Sequence, residues 1–181
     1  SSRYLKPNKI KEIISSIPKS VTKVGVFVNE ASDSLEKIMN DTGMDLAQLH
    51  GDENVNYIEK INVPWFKAFR VTPRFNSHQI NLFGQELFLL DSYSKNIYGG
   101  SGKELDWEKV SKFSGIGKLI LAGGLDSENI VDAIEKVKPW GIDVCSGVEK
   151  EPGIKDLGKV ANFVEIIRKN SKKQSNMKKN V

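Results

Sequence analysis

The stretch Phe88-Leu89-Leu90-Asp91-Ser92, followed by Tyr98-Gly99-Gly100-Ser101-Gly102-Lys103, does most to indicate the fold. An apolar, strand-like run ends in a carboxylate, and a glycine-dense segment precedes a helical pattern that opens at Asp106-Trp107. Barrels of alternating strands and helices place their chemistry at the C-terminal ends of the strands, where Asp91 is expected to lie. Because glycines let backbone N–H groups come close to an anion, we interpret residues 99–102 as a flexible lid loop.

Asp91 has two interpretations at this point. Burial against an apolar strand disfavours the charged form of a carboxyl group, which makes a proton-donating acid accessible near neutral pH. A strand-end aspartate can equally cap a turn. The glycine segment is not a nucleotide P-loop, because G-x-x-x-x-G-K-[ST] requires glycine where the chain has Ile97 and Ser or Thr where it has Glu104.

Strand-like and helix-like stretches alternate along the chain, after a first helical pattern that ends at Pro18. This alternation predicts a parallel sheet with helical crossovers, either a doubly wound open sheet or a (β/α)8 TIM barrel, and polar residues at the strand ends favour the barrel. Only six strands are visible where a barrel needs about eight, so either two strands are missing or the sheet is open. The six predicted strands end near Val28, His50, Arg70, Asp91, Ala122 and Cys145.

The length and charge of the chain limit its number of domains and the kind of partner it can bind. A length of 181 residues with 39% hydrophobic residues suits a single domain, which we assign to residues 1–170. Residues 168–181 hold six basic residues and no acid, so the net charge of +4 comes from the end of the chain. We expect residues 171–181 to be a basic, disordered tail rather than a nucleic-acid arm. The last helix is predicted near residues 156–169, with an apolar stripe formed by Leu157, Val160, Ala161, Val164 and Ile167.

Metal, disulfide and membrane chemistry find no support in the sequence. Cys145 is the single cysteine, and the two histidines, His50 and His78, lack zinc-ligand spacing. We expect no metal or cofactor, and we assign His78 no role. No apolar run approaches the roughly 20 residues that a membrane helix needs, and Ser1-Ser2-Arg3-Tyr4 does not resemble a signal peptide, so a cytoplasmic protein with no membrane partner is expected.

Small and polar residues follow several predicted strands. Gly123-Gly124 ends one strand and Ser146-Gly147 follows the next, which predicts a phosphate cradle of backbone N–H groups, although each pair could simply form a tight turn. Gln48 and His50 alternate with Leu49 and therefore share one face of their strand, the interior face in a barrel. The other polar candidates at this end of the sheet are Asp143 and Arg3.

Several separated motifs, taken in order, resemble the phosphoribosylanthranilate isomerase family. They are Val24-Gly-Val-Phe-Val-Asn29, Gln48-Leu-His-Gly51, Leu89-Leu-Asp91 with Gly99-Gly-Ser-Gly-Lys103, Ala122-Gly-Gly-Leu125, and Asp143-Val-Cys-Ser-Gly-Val-Glu149. The resemblance implies a (β/α)8 barrel of tryptophan biosynthesis. It also implies the Amadori rearrangement of N-(5-phosphoribosyl)anthranilate by general acid and base catalysis, with no cofactor.

The resemblance also implies a role for individual residues. Asp91 matches the general acid, and Arg3 matches the arginine beside the anthranilate carboxylate, a planar anion that a guanidinium suits. The remaining matched residues are Gln48, His50 and Asp143 in the substrate pocket, Gly123, Gly124, Ser146 and Gly147 in the phosphate cradle, and Gly99, Gly100, Ser101 and Gly102 in the lid.

One family feature is missing from this sequence. Family members begin with a strand carrying Lys-Ile-Cys-Gly, whose cysteine is the general base, and these 181 residues contain no such motif. We therefore expect the barrel to lack its first strand, first helix and second strand, the chain to be inactive alone, and the full-length form to be a monomer or homodimer. Two alternatives stay open: another phosphosugar isomerase or epimerase, and a non-catalytic phosphate-ligand module.

Overall fold

The structure is a computed structural model that describes residues 1–92 and 105–179, with side chains described as far as Ser171. The predicted lid at Gly99, Gly100, Ser101 and Gly102 lies outside the described residues. The elements in order are α1 (Pro7–Ser16), β1 (Val24–Phe27), α2 (Ser32–Thr42), β2 (Leu46–Leu49), α3 (Val55–Ile58), β3 (Trp65–Val71), α4 (Ser77–Asn81), β4 (Leu87–Ser92), α5 (Trp107–Ser111), β5 (Lys118–Leu121), α6 (Ile130–Val137), β6 (Gly141–Ile142), a 3₁₀ helix (Ser146–Val148), β7 (Glu149–Glu151), β8 (Ile154–Lys155) and α7 (Leu157–Lys179).

Strands β1 to β6 form one parallel sheet in sequence order, curled into a half-barrel. Each strand is followed by a helix or turn that returns the chain to the start of the next strand, as the alternation of patterns predicts. The six-stranded parallel sheet of the sequence prediction is therefore confirmed. The expected absence of the family's first strand, first helix and second strand remains a prediction.

The two faces of the sheet bury different sets of side chains. The outer face packs against the helices through a large cluster that includes Leu90, Leu121 and Ile130, all without measurable exposure. The interior face carries a smaller cluster made of Phe66, Ala68, Leu89 and Ala122. Full burial of one such aliphatic side chain stabilises the fold by about 1.5–3 kcal/mol.

Local sequence explains most helix boundaries. Gly43 adopts a left-handed conformation (φ 75°) and ends α2. Asn54 and Asp106 cap α3 and α5 by accepting backbone N–H groups, and Asn76 begins α4 in a capping box. The N-cap of α2 is Ala31, and no side chain caps the start of this helix.

The C-terminal third differs most from the sequence prediction. The strand predicted to end near Cys145 pairs only at Gly141 and Ile142, after which the chain turns into the 3₁₀ helix. A short antiparallel hairpin, β7 and β8, then turns at Gly153 (φ 88°). Strands of two or three residues leave no alternation in the sequence, which is why the hairpin was not predicted.

The last helix is longer than predicted, and only part of its predicted stripe faces inward: Val160 and Ile167 pack against the main cluster. Its backbone continues past Lys169 to Lys179. Leu157 of the expected stripe is 81% exposed and Val164 is also exposed, whereas Phe163 is buried. The large aromatic ring decides the rotation of the helix, because burying it removes more apolar area from water. Over the described residues, no helix combines the length and apolar character needed to cross a bilayer.

Candidate active site

Three polar side chains lie buried at the C-terminal ends of β2 and β4. Gln48 and His50 are 6% and 5% exposed, and Asp91 is 2% exposed. The period-2 alternation of β2 places Gln48 and His50 on the interior face, where the sequence predicts them. Buried polar groups need partners, so their mutual contacts define the site.

His50 lies between Gln48 and Asp91. The Gln48 side-chain amide nitrogen is 2.9 Å from His50 Nδ1, and since an amide nitrogen can only donate, Nδ1 accepts and the ring proton resides on Nε2. That Nε2 lies 3.2 Å from Asp91 Oδ2. It is nevertheless buried and makes no hydrogen bond of good geometry to any described residue. A donor in this state is poised for an acceptor that enters the half-barrel.

Asp91 is fixed from two sides. Its Oδ1 accepts the backbone N–H of Ser92 at 2.7 Å. Gly123 (φ 92°) packs so closely that a Cβ there would lie 3.0 Å from the same oxygen and 2.7 Å from Ser92 N. Asp143 completes the acidic group: burial raises the pKa of its carboxyl, and its electrostatic interaction with Asp91 raises that pKa further. The site therefore holds two carboxyl groups, one of which is biased toward its protonated form.

The two predicted cradle segments meet through the β5–α6 loop. Gly124 lies in that loop, where its carbonyl accepts from the Asn129 side chain at 2.8 Å. Gly147 packs directly against the backbone of Leu125 and Asp126, leaving no room for a Cβ. Ser146 and Gly147 are thereby held beside the loop that begins at Gly123, next to Asp91. The structure brings all four predicted cradle residues to the same end of the sheet as the acid.

Arg3 pairs with Glu149, a residue near the end of the sheet. Its Nε donates to Glu149 Oε1 at 2.9 Å and one Nη donates to Oε2 at 2.6 Å, a two-point pair across 146 residues of sequence. Lys155 Nζ lies 3.1 Å from Glu149 Oε1. Arg3 and then Lys155 lower the pKa of Glu149 to about 2. This cluster fixes the segment around Arg3 to the hairpin that follows β6.

The Arg3–Glu149 pair predicts an acid-sensitive fold. A carboxyl whose pKa falls from 4.5 to about 2 on folding contributes stability that is complete above pH 4.5 and is lost as the pH falls toward 2. We expect Glu149→Gln to lower the urea midpoint at pH 7 and to flatten the loss of stability between pH 5 and pH 3. Urea unfolding across that range measures both effects.

Glu165→Gln is the matched control, since Glu165 pairs with Lys169 on the exposed face of α7. Exposed pairs contribute little, and salt screens them. At about 0.15 M salt this variant should follow the parent protein at every pH. Equal pH slopes for Glu149→Gln and the parent would contradict the assignment.

Some residues of the site were not identified from sequence. Glu149 belongs to a quoted motif, but its partner Arg3 lies at the opposite end of the chain, and no local pattern joins the two.

Cys145 is half-buried and burial raises the pKa of its thiol, which agrees with an unactivated cysteine. His78 is exposed on α4. Within the described ranges, no three His, Cys, Asp or Glu side chains are placed to hold a metal ion.

Comparison with known proteins relates this site to one family. A family model described as N-(5'phosphoribosyl)anthranilate (PRA) isomerase matches residues 1–166. The N-(5'-phosphoribosyl)anthranilate isomerase of Bacillus cereus (strain AH187) is 41% identical over 166 residues, which are 91% of this chain and 81% of that protein.

Solved structures agree with the sequence match. Phosphoribosyl anthranilate isomerase from Thermotoga maritima gives a TM-score of 0.83 at 33% identity, covering 93% of this chain and 83% of that one. A phosphoribosyl anthranilate isomerase in complex with reduced 1-(o-carboxyphenylamino)-1-deoxyribulose 5-phosphate gives 0.79 at 31% identity, covering 93% and 82%. The matched segment includes every site residue described above, and the chain belongs to the N-(5'-phosphoribosyl)anthranilate isomerase family.

Proposed function

We propose that this chain binds N-(5-phosphoribosyl)anthranilate and supplies the general acid for its Amadori rearrangement to 1-(2-carboxyphenylamino)-1-deoxyribulose 5-phosphate. The observation that carries the proposal is the buried pair of His50 Nε2 and Asp91 Oδ2 at the strand ends. His50 Nε2 has a proton to donate and no well-aligned acceptor among the described residues. A sugar oxygen entering the half-barrel would supply that acceptor.

Asp91 is the proposed acid. Its proton passes to the furanose ring oxygen as the C1′–O bond breaks, and the lone pair of the anthranilate nitrogen forms the C1′=N bond. A base then removes the proton from C2′, and tautomerisation gives the ketone at C2′ with no net change in composition. Asp143 and Gln48 are assigned to the substrate pocket with His50, where they hold the sugar hydroxyl groups.

The two ends of the substrate need separate anchors. We assign the phosphate to backbone N–H groups of Gly123, Gly124, Ser146 and Gly147, because these segments meet beside Asp91. Arg3 is assigned to the anthranilate carboxylate. Its Nε and one Nη are occupied by Glu149, so the carboxylate would use the remaining edge of a guanidinium that is already fixed in place. Residues 99–102 are assigned to the lid.

The base is not assigned within this chain. Residues 1–181 contain no Lys-Ile-Cys-Gly motif, and the burial-raised pKa of Cys145 makes its thiolate scarce at neutral pH. We therefore propose that residues 1–181 by themselves bind the product and turn over little substrate. The extended form, meaning this chain preceded by a family strand–helix–strand segment that carries Lys-Ile-Cys-Gly, is proposed to be active as a monomer or homodimer in the cytoplasm.

Two measurements test this function. Calorimetry should show that residues 1–181 bind reduced 1-(o-carboxyphenylamino)-1-deoxyribulose 5-phosphate, referred to below as the reduced product. The fluorescence of the anthranilate group should report substrate conversion by the extended form and little by residues 1–181. An inert extended form that still binds the reduced product would favour a non-catalytic phosphate-ligand module. Conversion of a different phosphosugar would favour an epimerase.

A further inference from the structure

A buried ion pair behind the active site is not explained by core packing. Lys67 lies on β3 between Phe66 and Ala68, which face the interior of the half-barrel, so its side chain starts on the helix-covered face. The Lys67 and Glu53 side chains are 5% and 1% exposed, and their charged atoms are 2.9 Å apart. Burying two charges is costly, and apolar residues of similar size would serve a core at least as well.

The ammonium group of Lys67 uses all three of its N–H bonds. One donates to Glu53 Oε2, and the other two donate to the backbone carbonyls of Leu49 at 3.0 Å and Gly51 at 2.8 Å. These carbonyls belong to the residues on either side of His50. Lys67 therefore holds the backbone immediately before and after the histidine whose ring faces Asp91.

Glu53 holds the same turn from its other side. Its carboxylate accepts the N–H of Gly51 at 2.9 Å and the N–H of Asn29 at 2.8 Å. Asn29 has a left-handed backbone (φ 53°), and its side chain accepts the N–H of Asp52 at 2.7 Å. A Cβ at Gly51 would lie 2.6 Å from both Asn29 N and Glu53 Oε1, so the turn closes only around glycine.

The imidazole direction follows from these backbone contacts. His50 N–H donates to the carbonyl of Phe27 at 2.8 Å, so the strand end is held by β1 as well as by Lys67. With the backbone fixed on both sides, the Cα–Cβ bond of His50 points into the half-barrel. There Gln48 sets the rotation of the ring. Burial lowers the pKa of Lys67, and the adjacent Glu53 carboxylate opposes that shift.

We propose that Lys67 and Glu53 are positioning residues, which hold the turn after β2 so that His50 Nε2 faces Asp91 and an incoming sugar oxygen. The role of the sugar rests on the function proposed above, whereas the orientation of His50 does not. Neither residue touches the reacting atoms. Both act through the backbone of residues 49–51.

The test combines Lys67→Met with Glu53→Gln in residues 1–181, which removes both charges while nearly keeping the volume. The chain has only two histidines, so side-chain NMR of His50 can be read against exposed His78 in the same sample. We expect the His50 ring signals to broaden or move toward those of His78, which should not change. We also expect the Kd for the reduced product to rise about tenfold or more.

A surface pair provides the matched control. Lys118→Met with Glu86→Gln removes an exposed lysine–glutamate pair next to β4, and it should leave the His50 signals and the Kd unchanged. Unchanged His50 signals in the folded Lys67 and Glu53 double variant would overturn the proposal. If that variant does not fold, the single variant Glu53→Gln takes its place, because it keeps the hydrogen bonds from Lys67 to the carbonyls of Leu49 and Gly51. The proposal requires that Glu53→Gln also changes the His50 ring signals. Failure of the parent protein to bind the reduced product would count against the proposed function, while the NMR result would still decide the positioning.

Discussion

Asp91→Asn in the extended form is expected to reduce kcat for N-(5-phosphoribosyl)anthranilate by about 10²- to 10⁴-fold, the usual contribution of a general acid. The amide has no acidic proton to give to the ring oxygen. Binding of the reduced product, in which no ring has to open, should change only a few-fold. Stopped-flow fluorescence gives the first quantity and calorimetry gives the second.

The substitution should leave the site folded. Asparagine is nearly isosteric with aspartate and keeps an oxygen that can accept the Ser92 N–H. Asp41→Asn, on the exposed face of α2, is the control for the loss of one negative charge and should retain parental turnover. Parental turnover by Asp91→Asn would exclude Asp91 as the acid. A loss of turnover matched by an equal loss of product affinity would indicate a binding role instead.

Sequence periodicity predicts the strands and helices of the half-barrel well, because each of these elements is encoded by a short stretch of neighbouring residues. Each strand of β1 to β5 has at least four residues, and each is separated from the next by a helical or turn pattern. Strand-end placement of Gln48, His50 and Asp91 follows from the same local pattern, since parallel strands all end at one edge. The rotation of α7 does not follow, because its apolar residues could form more than one stripe. Contact with the sheet selects the stripe that contains Phe163.

Local sequence patterns could not predict the ion pairs between distant segments. The Arg3–Glu149 pair and the Lys67–Glu53 pair each depend on how the strand ends come together. Lys67 does leave one trace in the sequence, a lysine at a position of β3 where the alternation calls for an outward apolar residue. Such a break in the pattern marks a residue whose partners must be sought in the structure.

Gly147→Ala is expected to be the most damaging of the single-methyl changes near the phosphate cradle. The added Cβ would overlap the carbonyl of Leu125 and lie 3.0 Å from Asp126 Cα, and neither backbone atom can swing aside as a side chain can. Leu125 and Val148 on the two sides of the contact are both buried, so the strain spreads into the core. Overpacking of this kind costs about 1–3 kcal/mol.

The same change should separate the two halves of the cradle. If the 3₁₀ helix moves away from the β5–α6 loop, the backbone N–H groups of Ser146 and Gly147 no longer converge with those of Gly123 and Gly124. We expect a loss of affinity for the reduced product of about tenfold or more, together with a lower urea midpoint. Tenfold corresponds to about 1.4 kcal/mol, within the strain expected.

Gly115→Ala is the matched control for this prediction. A Cβ at Gly115 meets no atom within 4 Å, and its φ lies outside the left-handed region. Replacing such a glycine reduces the entropy of the unfolded chain and stabilises a protein by about 0.4–1 kcal/mol. This variant should therefore unfold at the same or a higher urea concentration and bind the reduced product as the parent does. Equal affinities for Gly147→Ala and Gly115→Ala would show that the contact at Gly147 supports the fold without shaping the phosphate site.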